Sequence, residues 1–285
     1  MTTDELIAVL RLQNIPNIGD VTAKKLIANC GSATAVFSDK LQNLLKIDGI
    51  GSYTIKGLYD SEHLEAAEEE LQYIQANGIT YSYFTESHYP SYLKHCIDSP
   101  LLLFQRGNIN LEGRRIISIV GTRNSTSYGT AFCERLIDEI APLDPIIVSG
   151  FAYGIDICAQ KAAVSQGLQT IGILAHGLNQ TYPKAHSRFL PDIEKNGGFI
   201  TEFWSTSNPD RENFLRRNRI IAGMCEATIV VESAEKGGSL VTADIANSYV
   251  REVFAGPGRA QDKYSLGCND LIKRQKAHMM TSAAD

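Results

Sequence analysis

Arg115-Ile116-Ile117-Ser118-Ile119-Val120-Gly121-Thr122-Arg123-Asn124-Ser125 is a nearly continuous apolar run that stops at a glycine and passes into helix-compatible sequence over 125–141. Strands covered by helices on both faces read this way, because neither face alternates with polar residues. The same unit recurs downstream. Strands are expected at 146–149, 170–174, 198–202, 227–231 and 252–255, with helices at about 154–166, 184–196, 213–224 and 239–250. Regular alternation of strand and helix predicts the α/β class: a Rossmann-like, doubly wound, mostly parallel sheet.

The sequence ahead of this alternation has a different texture. Residues 1–62 read as short helices, with Leu6, Val9, Leu10 and Leu12 close to one face and Thr3 or Asp4 as N-cap. Ile15-Pro16-Asn17-Ile18-Gly19 and Ile47-Asp48-Gly49-Ile50-Gly51 repeat the apolar-turn-Ile-Gly pattern of a helix-hairpin-helix. The second copy keeps both glycines, and the first has Asn17 where a glycine is expected. Lys24, Lys25, Lys46 and Lys56 supply modest positive charge, which favours a structural or protein-contacting unit over a DNA clamp. The expected organisation is a small all-α, helix-hairpin-helix (SAM-like) domain over 1–62 and a Rossmann-like domain over 63–285. An acidic helix over 61–77 and strand-like segments at 79–84 and 101–104 open the second part.

Bulk properties narrow the function. With 27 Lys and Arg against 32 Asp and Glu, the net charge of −5 excludes a uniformly basic polyanion binder. Any nucleic-acid site must be a local basic patch whose affinity depends on salt. The six cysteines form no CxxC pair, so neither a zinc site nor a disulfide framework is indicated. No apolar run is long enough to span a bilayer and the start lacks a signal-peptide pattern, so a cytoplasmic protein without a membrane partner is expected.

Ligands of doubly wound sheets bind beyond the carboxyl ends of the strands. After the first strand, Gly121 allows close approach, Arg123 stands at the next helix start, and Ser125 is the expected cap. After the second come Gly150 and Gly154, bracketing a turn, with Asp156 expected to cap or brace the helix start rather than act as a base. The third is followed by Tyr182, Lys184 and His186, the last expected to cap or to face solvent. The fifth leads to Lys236, Gly237, Gly238 and Ser239, a turn open to an anion. None of these is a GxGxxG or Walker loop, so no dinucleotide or nucleoside-triphosphate cofactor is expected.

Ahead of the fifth strand lies Phe214-Leu215-Arg216-Arg217-Asn218-Arg219-Ile220-Ile221-Ala222-Gly223, preceded by Arg211. Guanidinium groups match phosphate oxygens, and an aromatic ring stacks on any base. Three glycine-rich turns and several cations thus gather at one sheet edge and describe a polyanion groove.

The stretches SIVGTRNSTSYG, VSGFAYGIDICAQKAA, FLRRNRIIAG, GGSLVTA and AGPG followed by SLGCNDLI, with YPSYLKHCIDSPLLLFQRGN upstream, resemble the bacterial DNA processing protein A family, also called Smf. The resemblance covers most of 80–285 and implies a non-enzymatic protein. Such proteins bind and protect incoming single-stranded DNA during natural transformation and recombination, dimerise through the Rossmann-like domain and load RecA. Carried onto this chain, the DNA groove would comprise Arg123, Gly150, Lys184, Arg211, Phe214, Arg217, Arg219, Lys236 and Ser239. Arg123, Arg217 and Arg219 would hold phosphates, Phe214 would contact a base, and Gly121, Gly154, Gly237 and Gly238 would shape the turns. No catalytic residue, metal or cofactor is implied. Homodimer contacts are expected near Leu266–Ile272.

Leu215 and Gly237 depart from the family pattern, which usually has proline and serine there. Many members continue into a winged-helix domain, expected here to be absent or cut. Two other readings compete: a nucleotide phosphoribohydrolase and a protein-contact scaffold with a vestigial pocket. Such hydrolases carry PGGxGTxxE, whereas Ala234–Asp244 lacks the proline, the Gly-Thr pair and the glutamate, with only Asp244 near the last position.

Overall fold

The computed structural model describes residues 1–285, which divide into two compact units, one of Met1–Tyr89 with Ile97–Leu103 and one of Pro90–Cys96 with Phe104–Asp285. The boundary expected at 62/63 falls inside a helix of the first unit, Ser61–Ala76.

The first unit holds α1 (Thr3–Asn14), α2 (Asp20–Cys30), α3 (Ala33–Ser38), α4 (Leu41–Leu44), α5 (Ser61–Ala76) and β1 (Thr80–Tyr83). The cap of α1 is Thr2, one residue before the expected position, and its side chain accepts from the Glu5 amide at 3.2 Å. Glu5 in turn caps α3, accepting from the amides of Ala33 (2.6 Å) and Thr34 (3.0 Å). Asn17 has φ 68° and Gly49 φ 75°, so both hairpin copies make the same left-handed turn. Asn is among the few residues that tolerate it. The second copy does not continue into a regular helix. Residues 52–59 form successive turns, and Gly57 sits at φ 82° within them.

The second unit carries α6 (Ser91–Lys94), β2 (Leu102–Gly107, from Phe104 onward), β3 (Ile116–Val120), α7 (Ser127–Ile140) and β4 (Ile146–Ser149). It continues with α8 (Ile155–Ser165), β5 (Thr170–Ile173), α9 (Leu190–Lys195), β6 (Gly197–Thr201) and α10 (Arg211–Met224). Last come β7 (Ala227–Val230), α11 (Gly238–Ser248), β8 (Glu252–Ala255), α12 (Leu266–Lys273) and β9 (His278–Met279).

Its strands run in the order β2-β6-β5-β4-β3-β7-β8-β9. Every pairing is parallel except β2 with β6, where Phe104 opposes Thr201 and Arg106 opposes Phe199. This is the doubly wound, mostly parallel sheet expected from the sequence. β4, β5 and β6 are buried at every position, as strands covered on both faces must be. One face packs Phe132, Leu136 and Ile137 of α7 and Ile155, Ala159 and Ala163 of α8 onto Ile119, Ile147 and Ile229.

Local departures have identifiable causes. Thr126, not Ser125, caps α7, accepting from the Gly129 amide at 3.2 Å. The helix expected over 184–196 is split into a 3-10 segment, Lys184–Phe189, and α9, with Pro191 in the first turn of the latter. Proline suits a first helical turn, where its missing N–H is not needed.

The chain winds outward from β3 through β4, β5 and β6, then returns to the other side of β3 as β7. The strand order therefore reverses between β3 and β7, and a crevice opens beyond their carboxyl ends.

Candidate nucleic-acid interface

A cavity of about 670 Å³ occupies that crevice. Gly121 and Arg123 reach it from the end of β3, Asp156 from the start of α8, Arg211, Phe214 and Arg217 from α10, and Lys236, Gly237, Gly238 and Ser239 from the turn after β7. A small adjoining recess brings Gly150 against Arg123, Tyr182 and Phe214.

α10 begins where Asp210 accepts from the Asn213 amide at 2.8 Å. Its first turn presents exposed Arg211, and Phe214 follows one turn later, half-buried. Two cations approach the Phe214 ring: the Arg123 guanidinium carbon is 5.0 Å from its centroid and that of Arg217 5.7 Å. Tyr182 approaches it at 5.7 Å between centroids. Cation–π contacts on this scale each contribute about 0.5–2 kcal/mol and hold the ring in place.

Arg217 is 3% exposed, and its Nε and Nη1 have no protein hydrogen-bond partner. A Cβ at Gly150 would collide with Arg217 Nη1 and lie 2.6 Å from Asp156 Oδ2. Gly150 is therefore the notch into which a buried guanidinium and a buried carboxylate fit. Asp156 also accepts from the Gly150 amide at 3.1 Å, so it ties the start of α8 back to the end of β4 and does not cap the helix. Burial pushes the Asp156 carboxyl above the usual carboxylate range, opposed by Arg217 and by the amides of Ala152 and Gly150. Burial brings Arg217 down to about 10, with Asp156 supporting its charge and Arg123 opposing it. Arg217 is cationic at neutral pH.

Two other glycines have steric reasons. A Cβ at Gly121 would stand 2.6 Å from Ile155 Cγ1, and one at Gly154, at φ 76°, would collide with the Thr122 carbonyl. A Cβ at Gly237 would lie 2.7 Å from Ser233 Oγ, whereas one at Gly238 would meet nothing within 4 Å. The start of α11 is thus open at Gly238. Phe151, between Gly150 and Gly154, is buried with φ 55°, a left-handed conformation costly for an aromatic residue.

Several expected residues stand differently. Arg219 is 8% exposed, lies outside the groove lining, and donates through Nη2 to buried Glu202 at 2.5 Å. Arg216 reaches the same carboxylate oxygen at 2.8 Å. At 100° per residue, positions 217 and 219 differ by about 200° around the helix, so both cannot face one groove. Lys184 is exposed at the head of the 3-10 segment and lines neither the groove nor the recess. Ser239 lines the groove, but its hydroxyl bonds Ser233 Oγ at 3.0 Å. His186 does not face solvent: it is 4% exposed, and its Nδ1 is 3.0 Å from the Phe151 carbonyl. Lys263 and Tyr264 also line the groove. They come from an irregular segment beyond β8, where only the nearby AGPG motif could have drawn attention.

The sequence matches the model of the DNA recombination-mediator protein A family over residues 80–285. The chain belongs to the DNA recombination-mediator protein A family. A relative from Bacillus subtilis, DNA processing protein DprA, is 39% identical over 210 residues, covering 73% of this chain and 70% of its own. The Streptococcus pneumoniae DNA processing protein DprA is 38% identical over 197 residues, covering 69% of each. The X-ray structure of DprA from Streptococcus pneumoniae superposes with TM-score 0.83 at 30% identity, covering 99% of this chain and 96% of that one. DNA processing protein A of Helicobacter pylori, a protein with a single-stranded-DNA binding mode, superposes with TM-score 0.65 at 28% identity, covering 72% of this chain and 93% of that one. All the groove residues named above fall inside the span matched by the recombination-mediator family.

Proposed function

We propose that this chain is a non-enzymatic single-stranded-DNA-binding protein. It would act as a cytoplasmic homodimer that protects incoming DNA and loads RecA in recombination and transformation. The observation that carries the reading is the cationic lining of the groove around Phe214: exposed Arg123, Arg211 and Lys236, with buried Arg217 beneath them. Guanidinium and ammonium groups gathered in this way match phosphate oxygens. Arg123, Arg211 and Lys236 provide the surrounding positive charge, and Phe214, braced by two guanidinium groups, offers a face to a base.

Arg219 and Lys184 are assigned no direct phosphate contact, and Gly150 acts by making room for Arg217. The helical residues 1–62 serve as a structural or partner-contacting unit. Lys24 and Lys25 there already bond Ser99 Oγ (2.5 Å) and the Asp48 carbonyl (2.6 Å).

The position such a hydrolase would use does not face the groove. Asp244, the one acidic residue near the position such an enzyme would use, pairs with Lys276 at 2.8 Å and lies outside the lining. Competition decides the main reading. Unlabelled single strand should displace a labelled oligo-dT from the protein, while a matched duplex and nucleoside monophosphates should not. Steady release of free base from the monophosphates would replace this reading with the enzyme.

A further inference from the structure

Beside the groove lies a second cavity, about 810 Å³, between the start of α7 and the irregular segment that follows β8. Lys263 and Tyr264 line both cavities, so that segment borders the two of them. The second has a different chemistry. Its walls include Tyr128 on one side and Tyr264 on the other, and its lining includes the carboxylates of Glu232 and Asp262 beside Arg259 and Lys263.

The walls are fixed. The Tyr128 hydroxyl donates to the Pro257 carbonyl at 2.9 Å, yet the residue remains 53% exposed, so a pinned ring still presents surface. The Tyr264 carbonyl accepts from the Ser233 amide at 2.8 Å, and the Lys263 ammonium lies 5.3 Å from the Tyr264 ring centroid. Asn269 clamps the segment by accepting from the Gly258 amide and donating to the Gly258 carbonyl, both at 3.1 Å. Gly258 has no room for a Cβ, which would strike Ser265 Oγ. Glu232 is 3% exposed and accepts from the Thr126 amide at 2.9 Å and the Thr126 hydroxyl at 2.5 Å.

Glu232 and Asp262 offset Arg259 and Lys263, so this cavity offers a phosphate no net positive charge, whereas tyrosine faces stack on any base. The basic groove suits a backbone, and this cavity suits a base. We propose that the cavity between Tyr128 and Tyr264 is a second nucleobase site, filled by the same single strand whose backbone lies along Arg217. The inference rests on the single-stranded-DNA reading of the groove. It assigns the AGPG segment, with Lys263 and Tyr264, a role in the length of strand engaged.

A length series tests it. Anisotropy titrations with oligo-dT of about 4 to 16 nucleotides would be run on the full chain, on Tyr128→Ala and Tyr264→Ala, and on the matching Phe variants. Wild type should gain affinity once the strand is long enough to reach the second cavity. Each Ala variant should lose that gain, by about 5- to 150-fold on long oligomers, with shorter ones unaffected. The Phe variants should retain it, because the ring does the stacking. Circular dichroism on each variant separates misfolding from lost contact, and a misfolded Ala variant leaves its folded Phe and the other Ala variant to decide.

Unchanged binding in a folded Ala variant, or an equal loss at every length, would overturn the second site while leaving the groove standing. An Arg217→Gln variant, measured in parallel, reports on the groove itself. If it binds every length like wild type, the groove reading falls and the second site falls with it.

Discussion

Arg217 and Arg219, two residues apart on α10, carry the same charge to opposite sides of the helix. Arg217 enters the groove over Gly150 with Nε and Nη1 unpaired, and Arg219 is tied to buried Glu202 at 2.5 Å. Removing Arg219 takes from a buried carboxylate its buried cation and leaves half-exposed Arg216 beside it. Arg219→Ala should therefore lower stability by about 3 kcal/mol in chemical denaturation. Arg217→Gln should instead weaken single-strand binding roughly 10- to 150-fold with a cooperative fold retained. The reverse pattern would mean that the two roles have been exchanged.

Gly150 and Gly238 make a second contrasting pair. A methyl at 150 meets Arg217 and Asp156, both buried, so Gly150→Ala should cost about 1–3 kcal/mol and weaken DNA binding by displacing Arg217. A methyl at 238 meets nothing in the protein. Gly238→Ala should leave the melting temperature at or above that of wild type, and any loss of binding would then report a strand passing close to the start of α11.

Salt resolves the exposed cations. The plot of log affinity against log salt for single strands has a slope of about −0.7 per phosphate neutralised. Arg211→Ala and Lys236→Ala should each make it shallower by about 0.7, whereas Lys184→Ala should leave it unchanged, since Lys184 lies outside the groove.

Acid sensitivity follows from two buried rings. Burial lowers the pKa of His176 and His186 below the ordinary histidine value, and their Nδ1 atoms lie 2.8 and 3.0 Å from the carbonyls of Gly177 and Phe151. Below about pH 6.5 the unfolded chain takes up protons that these rings refuse. The stability they contribute is present above that pH and lost as pH falls through it towards their lower folded values. Denaturation series across this range should show the decline, and His186→Gln should make it shallower. An unchanged slope in that variant would remove His186 from the explanation.

The strands were legible because burial on both faces writes itself into runs such as Ile116–Val120 and Ala227–Val230. The glycine turns were legible as well, since few residues other than glycine let backbone and side chains approach so closely at 121, 150 and 154. Side-chain destinations were not. Nothing in the run Arg216-Arg217-Asn218-Arg219 says which guanidinium meets Glu202, a residue from the end of β6 brought close only by the winding of the sheet. The burial of His186 depends likewise on the Phe151 carbonyl, 35 residues away in sequence. Lys263 and Tyr264 escaped notice because irregular backbone has no periodicity to reveal its inward face.

The central claim is that the groove holds a single strand through Arg217 and Phe214. Fluorescence anisotropy with labelled oligo-dT and a matched duplex, across a salt series, on wild type, Arg217→Gln and Phe214→Ala, tests it most directly. The account predicts salt-sensitive binding that favours the single strand, weakened in both variants. Phe214→Ala should lose about 5- to 150-fold, the worth of one stacked base, at every salt concentration. Equal affinity of both folded variants and wild type for the single strand would contradict it.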